Sequence, residues 1–142
     1  MQPVLREDFL VHVVDSDQAI ADGLATLLST YGIDVLSYAD TGSFLDSWLR
    51  HRRGNCCLIA EADSPEFSGV EFLRELQELR VDIPVLLLAS AASPDLVDAV
   101  RRSNRVGVIR KPCLDHTLVQ RLLEFRAARQ GHPASHQTLR DH

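Results

Sequence analysis

The chain has 142 residues, of which 45% are hydrophobic and 25% are charged, and these values predict one globular domain with one core. No stretch approaches the roughly 18 apolar residues that a membrane span needs. Met1–Asp8 also lacks the basic and then apolar layout of a signal peptide. We therefore expect a soluble, cytoplasmic protein with no membrane contact.

Charge is distributed unevenly around a formal net value of −5. Residues 1–100 carry 6 basic and 17 acidic side chains, whereas residues 101–142 carry 9 basic and 3 acidic ones. An acidic chain argues against general nucleic-acid binding. We expect no direct contact between this segment and nucleic acid, although the basic end can present a local charged face.

The cysteines and histidines show no metal-binding pattern. Cys56, Cys57 and Cys113 are odd in number and include an adjacent pair, which fits neither a disulfide framework nor a zinc spacing. We interpret them as small core residues in a reducing compartment. The six histidines are scattered, and we expect them at the surface or in the tail.

Five strand-and-helix units follow one another along the chain. Leu10–Val14 is a short apolar run, and the helical spacing after it closes near Gly32. The same alternation recurs in residues 35–48, 56–79, 83–100 and 106–125. Asp40, and Ser93 followed by Pro94, are expected to begin the second and fourth helices.

This alternation predicts an α/β fold. Strands that are almost continuously apolar suit a sheet covered on both faces, and the intervening helices imply parallel strands with right-handed crossovers. We predict a doubly wound (βα)5 domain over residues 9–128. A short N-terminal extension, 1–8, precedes it, and a flexible tail or linker, 129–142, follows it.

Function in such a fold gathers at the carboxyl ends of the strands. The residues that stand at these ends are Asp15, Ser16 and Asp17, then Glu61 and Asp63, then Ala89 and Ser90, and finally Lys111 and Pro112. Acids and a lysine that converge from separate strands predict a charged pocket, with Asp15, Ser16 and Asp17 on its acidic side.

The segments VHVVDSD, CLIAEADSPEFSG, PVLLLAS and VIRKP, in this order and spacing, resemble the receiver domains of bacterial two-component response regulators. The resemblance covers about Val11 to Phe125 and is greatest to receivers that precede a helix-turn-helix output domain. It implies a flavodoxin-like fold with five parallel strands in the order 2-1-3-4-5.

The resemblance also implies a role for each strand end. Asp15 and Ser16 fall where family members carry two acids that hold Mg²⁺, Glu61 on the phosphoacceptor aspartate, Ala89 on the hydroxyl residue that binds the phosphoryl group, and Val108 on the switch aromatic. Lys111, with Pro112 after it, matches the family's lysine. Only Asp15 and this lysine with its proline keep the family's residue types.

These departures have chemical consequences. Positioning is most of the catalysis in phosphoryl transfer, and the extra methylene of Glu61 displaces the carboxylate oxygen by roughly 1 Å. Ser16 removes a negative charge from a site for a hard dication, and Ala89 offers no hydroxyl. We expect no catalytic residue and no cofactor, with at most weak Mg²⁺ binding by Asp15, Glu61 and Asp63. We expect Lys111 to pair with Glu61 or Asp15.

The sequence therefore predicts a pseudo-receiver, which is not an enzyme and acts through protein–protein interaction without phosphorylation. Two alternatives remain open. One is a genuine phosphoacceptor that uses Glu61, Asp63 or Asp15 with unusual chemistry, and the other is the input domain of a truncated transcription regulator.

The expected partners are a histidine kinase or another signalling protein, and a second copy of the chain. The resemblance implies that the homodimer would form through the fourth helix, the fifth strand and the fifth helix, where mixed charges can pair across a two-fold axis. That stretch carries Arg101, Arg102, Arg105, Arg110, Arg121 and Arg126 beside Asp95, Asp98, Asp115 and Glu124.

Overall fold

The computed structural model describes residues 9–51, 55–64, 67–91, 93–103, 105–111 and 115–129. The predicted extension, nearly all of the predicted tail, and Pro112 and Cys113 lie outside these ranges. Within them, no helix combines the length and the apolar character that crossing a bilayer requires.

Strands and helices alternate along the described chain. The elements are β1 (Leu10–Val14), α1 (Gln18–Ser29), β2 (Asp34–Tyr38), α2 (Thr41–His51), β3 (Cys56–Glu61), β4 (Asp63–Ser64), β5 (Phe67–Ser68), α3 (Gly69–Glu78), β6 (Val85–Ala89), α4 (Pro94–Arg101), β7 (Val106–Arg110) and α5 (His116–Arg129).

The main sheet has five parallel strands in the order β2-β1-β3-β6-β7. Numbered among themselves in chain order, these strands are arranged 2-1-3-4-5, which confirms the predicted fold. The apolar runs explain the arrangement, because every residue of β6 and five of the six residues of β3 are buried. Such strands are stable only where helices cover both faces of the sheet.

A second, two-stranded sheet was not predicted. β4 and β5 form a short antiparallel pair in which Asp63 is opposite Ser68. A strand is recognised in a sequence by apolar and polar residues that alternate over several positions. β4 and β5 have two residues each, which is too few for such a pattern. Ser68 also begins α3, since its hydroxyl accepts a hydrogen bond from the Glu71 N–H at 3.2 Å.

The sheet divides the hydrophobic core into two clusters, one on each face. One cluster contains Leu24 of α1 and Leu122 of α5, and the other contains Phe44 of α2 and Phe72 of α3. The single predicted core therefore consists of two clusters, which the backbone of the main sheet separates. Cys56 and Cys57 are buried in them, as predicted.

The helix starts follow the predicted capping chemistry. The Asp40 carboxylate accepts from the Ser43 N–H at 2.8 Å, and the Ser93 hydroxyl accepts from the Leu96 N–H at 3.1 Å. Gly32 follows α1 with a left-handed φ of 73°, so the predicted end of this helix is also confirmed.

Candidate functional site

The predicted site residues lie at one edge of the main sheet. Parallel pairing places Val14 beside Ala60, Glu61 beside Leu88, and Ala89 beside Arg110. The carboxyl ends of β1, β3, β6 and β7 therefore meet at the same edge, which we call the site edge. Such an edge is where doubly wound sheets bind ligands.

Glu61 and Lys111 form an ion pair at the site edge. The Lys111 Nζ lies 2.7 Å from the Glu61 Oε2, with the lysine side chain 24% exposed and the glutamate side chain 12% exposed. The Lys111 N–H also donates to the Ala89 carbonyl at 2.9 Å, which holds the start of the lysine against the end of β6. The prediction that Lys111 pairs with an acid of the site is confirmed, with Glu61 as the partner.

Asp15, Ser16 and Asp17, the residues predicted on the acidic side of the pocket, have different environments. Asp15 is only 6% exposed, and its Oδ1 accepts from the Asp17 N–H at 2.9 Å. Asp17 caps α1, because its carboxylate accepts from the Ala19 N–H at 3.0 Å. Ser16 is exposed. Asp15 is thus the buried carboxylate of the three residues, whereas the Asp17 carboxylate is the N-cap of α1.

Ala89 and Val108, which the resemblance aligns with the family's phosphoryl-binding hydroxyl residue and switch aromatic, differ in their surroundings. Ala89 is fully buried in the cluster that contains Phe44, and Val108 is half-buried against the same cluster. Ser90, which follows Ala89, is exposed. This agrees with the alternation of side chains along a strand, so the buried face at the end of β6 presents a methyl group.

The donor set suits Mg²⁺ poorly. Mg²⁺ demands oxygen ligands in near-ideal octahedral geometry, yet an oxygen of Glu61 is engaged by the ammonium of Lys111 and an oxygen of Asp15 by a backbone N–H. Among the described residues, no three His, Cys, Asp or Glu side chains cluster as metal ligands. The Asp63 side chain lies outside the described part of the chain.

One polar group near the site was missed by the sequence analysis. His12 was expected at the surface, but it is 3% exposed on β1, because it occupies an inward position of a central strand. Its Nδ1 lies 3.0 Å from the Tyr38 hydroxyl, which donates to the Ser47 Oγ at 3.2 Å. The signal that could have revealed it is the position of His12 within an otherwise apolar strand, LVHVV, of a sheet that helices cover on both faces.

Comparison with known proteins assigns this chain to a family. The model of the response regulator receiver domain matches residues 11–123. The chain belongs to that family. It is therefore a receiver domain of the kind used in two-component signalling, as its resemblance implied.

Similar proteins include transcriptional regulators. The regulatory protein FixJ of Azorhizobium caulinodans is 28% identical over 129 residues, which cover 89% of this chain and 60% of FixJ. The response regulator protein TodT of Pseudomonas putida is 26% identical over 110 residues, which cover 78% of this chain and 48% of TodT. The chain spans about half to three fifths of these relatives.

Solved receivers share the architecture. The crystal structure of FixJ-N is matched with a TM-score of 0.72 and 26% identity, over 89% of this chain and 98% of that one. A response regulator receiver domain from Clostridium thermocellum has a TM-score of 0.76 at 19% identity, over 87% of this chain and 98% of that one, which shows the fold alone.

Proposed function

We propose that this receiver domain is a pseudo-receiver, which transfers no phosphoryl group and acts through protein–protein interaction without phosphorylation. The observation that carries the proposal is the Glu61–Lys111 ion pair, 2.7 Å long, at the position that the resemblance gives to the phosphoacceptor. It places a permanent negative charge beside the lysine that matches the family pattern.

The pair works against acceptor chemistry in two ways. A nucleophilic carboxylate oxygen must lie in line with the donor phosphorus, and a displacement of about 1 Å costs a large rate factor. One of the two Glu61 carboxylate oxygens, Oε2, is instead held by the Lys111 ammonium, so that oxygen must leave the lysine before it can attack. The serine at position 16 and the buried methyl group of Ala89 supply neither a second metal-binding acid nor a hydroxyl.

The experiment is intact-mass analysis after exposure to acetyl phosphate and Mg²⁺. The wild type and the single variant Glu61→Asp should gain little or no phosphoryl mass, because Ser16 and Ala89 remain. The triple variant Ser16→Asp, Glu61→Asp, Ala89→Thr should gain more, and a receiver with the full set of site residues serves as the positive control.

A stoichiometric mass gain in the wild type that disappears in Glu61→Gln would overturn the proposal and favour a genuine phosphoacceptor. A gain that survives Glu61→Gln would move the acceptor to another residue, such as Asp15 or Asp63. Full labelling of Glu61→Asp alone would show that Ser16 and Ala89 matter less than proposed.

For partners, the proposal is a histidine kinase or another signalling protein, together with a second copy docked on α4, β7 and α5. Several charges of this face are already paired within the chain: Arg102 with Asp98 at 2.7 Å, Arg105 with Asp82 at 2.5 Å, and Arg121 with Glu124 at 4.0 Å. Arg101, Arg110 and Asp95 are exposed on it. These exposed charges are suited to pairing across a two-fold axis.

Light scattering at low and high salt tests the dimer. Exposed ion pairs are weak and screened by salt, so the dimer should dissociate as the ionic strength rises and in Arg101→Glu with Arg110→Glu. The matched control is Arg74→Glu, an exposed arginine on α3, which should leave the mass unchanged. A monomer in every condition, or a dimer indifferent to salt and to both arginines, would exclude this face.

A further inference from the structure

Two carboxylates and one ammonium group meet at the site edge. Val14 pairs with Ala60 across β1 and β3. Asp15 and Glu61 are the next residues along the chain, so they stand on neighbouring strands that lie about 5 Å apart. Lys111 pairs with Glu61. The charge that this pairing leaves uncompensated at the site edge is that of Asp15.

The three charged side chains lie on the same side of the main sheet. Each stands two positions after a strand residue of the core cluster that α1 and α5 cover: Val13, Ile59 and Ile109. The ladder extends to the charged residues, because the backbone N–H groups of Asp15 and Lys111 still donate to a neighbouring strand, at 3.0 Å and 2.9 Å. Alternate side chains of a strand share one face, so Asp15 is directed toward the same pocket as the Glu61–Lys111 pair.

The Asp15 carboxylate has no cation beside it. The residue is 6% exposed, and its Oδ1 accepts from the Asp17 N–H at 2.9 Å. Its Oδ2 accepts from no described residue, and none of the ion pairs in the described part of the chain includes Asp15. Since Oδ2 is not one of the sealed polar atoms without a partner, solvent reaches it. Buried charges in proteins are ordinarily paired or metal-bound, so this carboxylate indicates a site for a cation from outside the chain.

A guanidinium suits this carboxylate better than Mg²⁺ does. Mg²⁺ demands octahedral oxygen ligands and gives up its water reluctantly, and Asp15 beside the engaged Glu61 supplies little of such a shell. A guanidinium is weakly hydrated, and its planar set of donors binds a carboxylate without further ligands. The adjoining segment is complementary to a cation, because Asp17 and Asp22 are exposed on it and residues 15–29 include no basic side chain.

We propose that the site edge is a docking site for an arginine side chain of a partner protein, whose guanidinium pairs with the Asp15 carboxylate in place of a metal ion. This inference rests on the proposed function, since it names the chemistry by which a partner recognises the pseudo-receiver. Because Lys111 neutralises Glu61 within the chain, the charge that selects the partner is present without any phosphoryl group.

NMR titration of the full chain with a peptide that contains one arginine, acetyl-Gly-Arg-Gly-amide, tests the site at constant ionic strength. The amide signals of Asp15, Ser16 and Asp17 should shift and saturate with a dissociation constant of the order of 10 mM, as for a single charged contact. The matched peptide with citrulline in place of arginine has nearly the same shape without the charge, and it should cause no saturable shift.

Two substitutions should change the affinity for the arginine peptide in opposite directions. Asp15→Asn keeps the size of the side chain and an acceptor for the Asp17 N–H, and it should weaken binding about tenfold or more. Lys111→Met leaves the Glu61 carboxylate without its lysine, and the added negative charge should tighten binding about threefold. Asp22→Asn, the same substitution at an exposed position of α1, is the control and should leave the affinity unchanged.

Equal shifts with the citrulline peptide, no saturable shift with the arginine peptide, or an affinity that Asp15→Asn leaves unchanged would each overturn the proposal. Mg²⁺ that saturates the same signals at a lower concentration than the peptide would also overturn it, because the site would then be a metal site. A wild-type dimer that dissociates in Asp15→Asn would make a second copy the occupant instead. The titration uses no phosphodonor, so its failure in a protein that gains no phosphoryl mass would remove this inference and leave the pseudo-receiver standing.

Discussion

The guanidinium of Arg121 on α5 occupies the space in which a Cβ on Gly107 of β7 would have to lie. The strand residue lacks a side chain, and the arginine lies over the bare backbone of this edge strand with its side chain 35% exposed. The glycine and the arginine are thus one packing unit.

This contact predicts that Gly107→Ala and Arg121→Ala have non-additive effects on the free energy of unfolding. Glycine in a strand costs about 0.5–1 kcal/mol relative to alanine, but Gly107→Ala must displace Arg121 and press on Leu86, whose Cδ2 would be 3.3 Å from the new atom. We expect Gly107→Ala to be neutral or destabilising in the wild type and stabilising beside Arg121→Ala. Urea unfolding of the wild type, the two single variants and the double variant gives the coupling energy, which we expect to be about 0.5–1 kcal/mol. Additive effects of the two substitutions would contradict this prediction.

A double-mutant cycle on Glu61 and Lys111 should show how much partial burial adds to the coupling energy of their ion pair. Lys111→Met leaves the 12% exposed Glu61 side chain without its lysine, and we expect a loss of about 1–3 kcal/mol, less than for a fully buried pair. Adding Glu61→Gln should recover part of that loss. The exposed Asp46–Arg50 pair is the control, with a coupling of about 0.3–0.5 kcal/mol; equal coupling in both cycles would show that burial adds nothing.

The buried thiol of Cys57 predicts a loss of stability in alkali. Burial, and to a lesser extent the neighbouring Cys56, raises the pKa of Cys57 far above its ordinary value. The unfolded chain loses this proton above about pH 8.5 while the folded chain keeps it, so the free energy of unfolding should fall by about 1.4 kcal/mol per pH unit from this residue.

The measurement compares urea unfolding at pH 8 and pH 10 in the wild type and in Cys57→Ala. The variant loses packing at both pH values. The contribution of the thiol is therefore the difference between the two proteins in how steeply the free energy of unfolding falls with pH. Equal slopes, or rapid labelling of Cys57 in the native protein by a thiol reagent, would show that the side chain is not sealed from water.

Two helices end in the same hydrogen-bonded turn with different residues at its left-handed position. The Ile33 N–H donates to the Leu28 carbonyl after α1, and the Val81 N–H donates to the Leu76 carbonyl after α3. The residue before each donor has a positive φ, 73° for Gly32 and 58° for Arg80. Only the first is a glycine, so α3 carries a backbone cost that α1 avoids.

We therefore expect Arg80→Gly to stabilise the domain by about 0.5–1 kcal/mol and Gly32→Ala to destabilise it by about 1 kcal/mol. Thermal unfolding should show the two shifts in opposite directions. Gly42→Ala, in the first turn of α2, where the new Cβ would make an ordinary contact with the Asp40 Oδ1 at 3.6 Å, is the control for helix propensity and should stabilise. A destabilised Arg80→Gly would mean that the arginine side chain contributes more than its backbone costs.

Much of this domain was determined by local sequence. Apolar runs such as Val85–Ala89 can be stable only in a sheet covered on both faces, and their alternation with helical patterns leaves few topologies. The departures at the site, including Glu61 and Ala89, are equally local, because residue type alone decides whether a carboxylate has the right length or a hydroxyl is present.

Tertiary structure decided which of these groups meet. That Lys111 takes Glu61 rather than Asp15 depends on how two strand ends lie across the sheet, and the burial of His12 under Phe44 and Trp48 depends on the rotation of α2 about its own axis. The β4–β5 pair is too short to leave a pattern. A sequence pattern specifies which face of an element is apolar, but the contacts between elements depend on side-chain directions and helix positions that only the packed core sets.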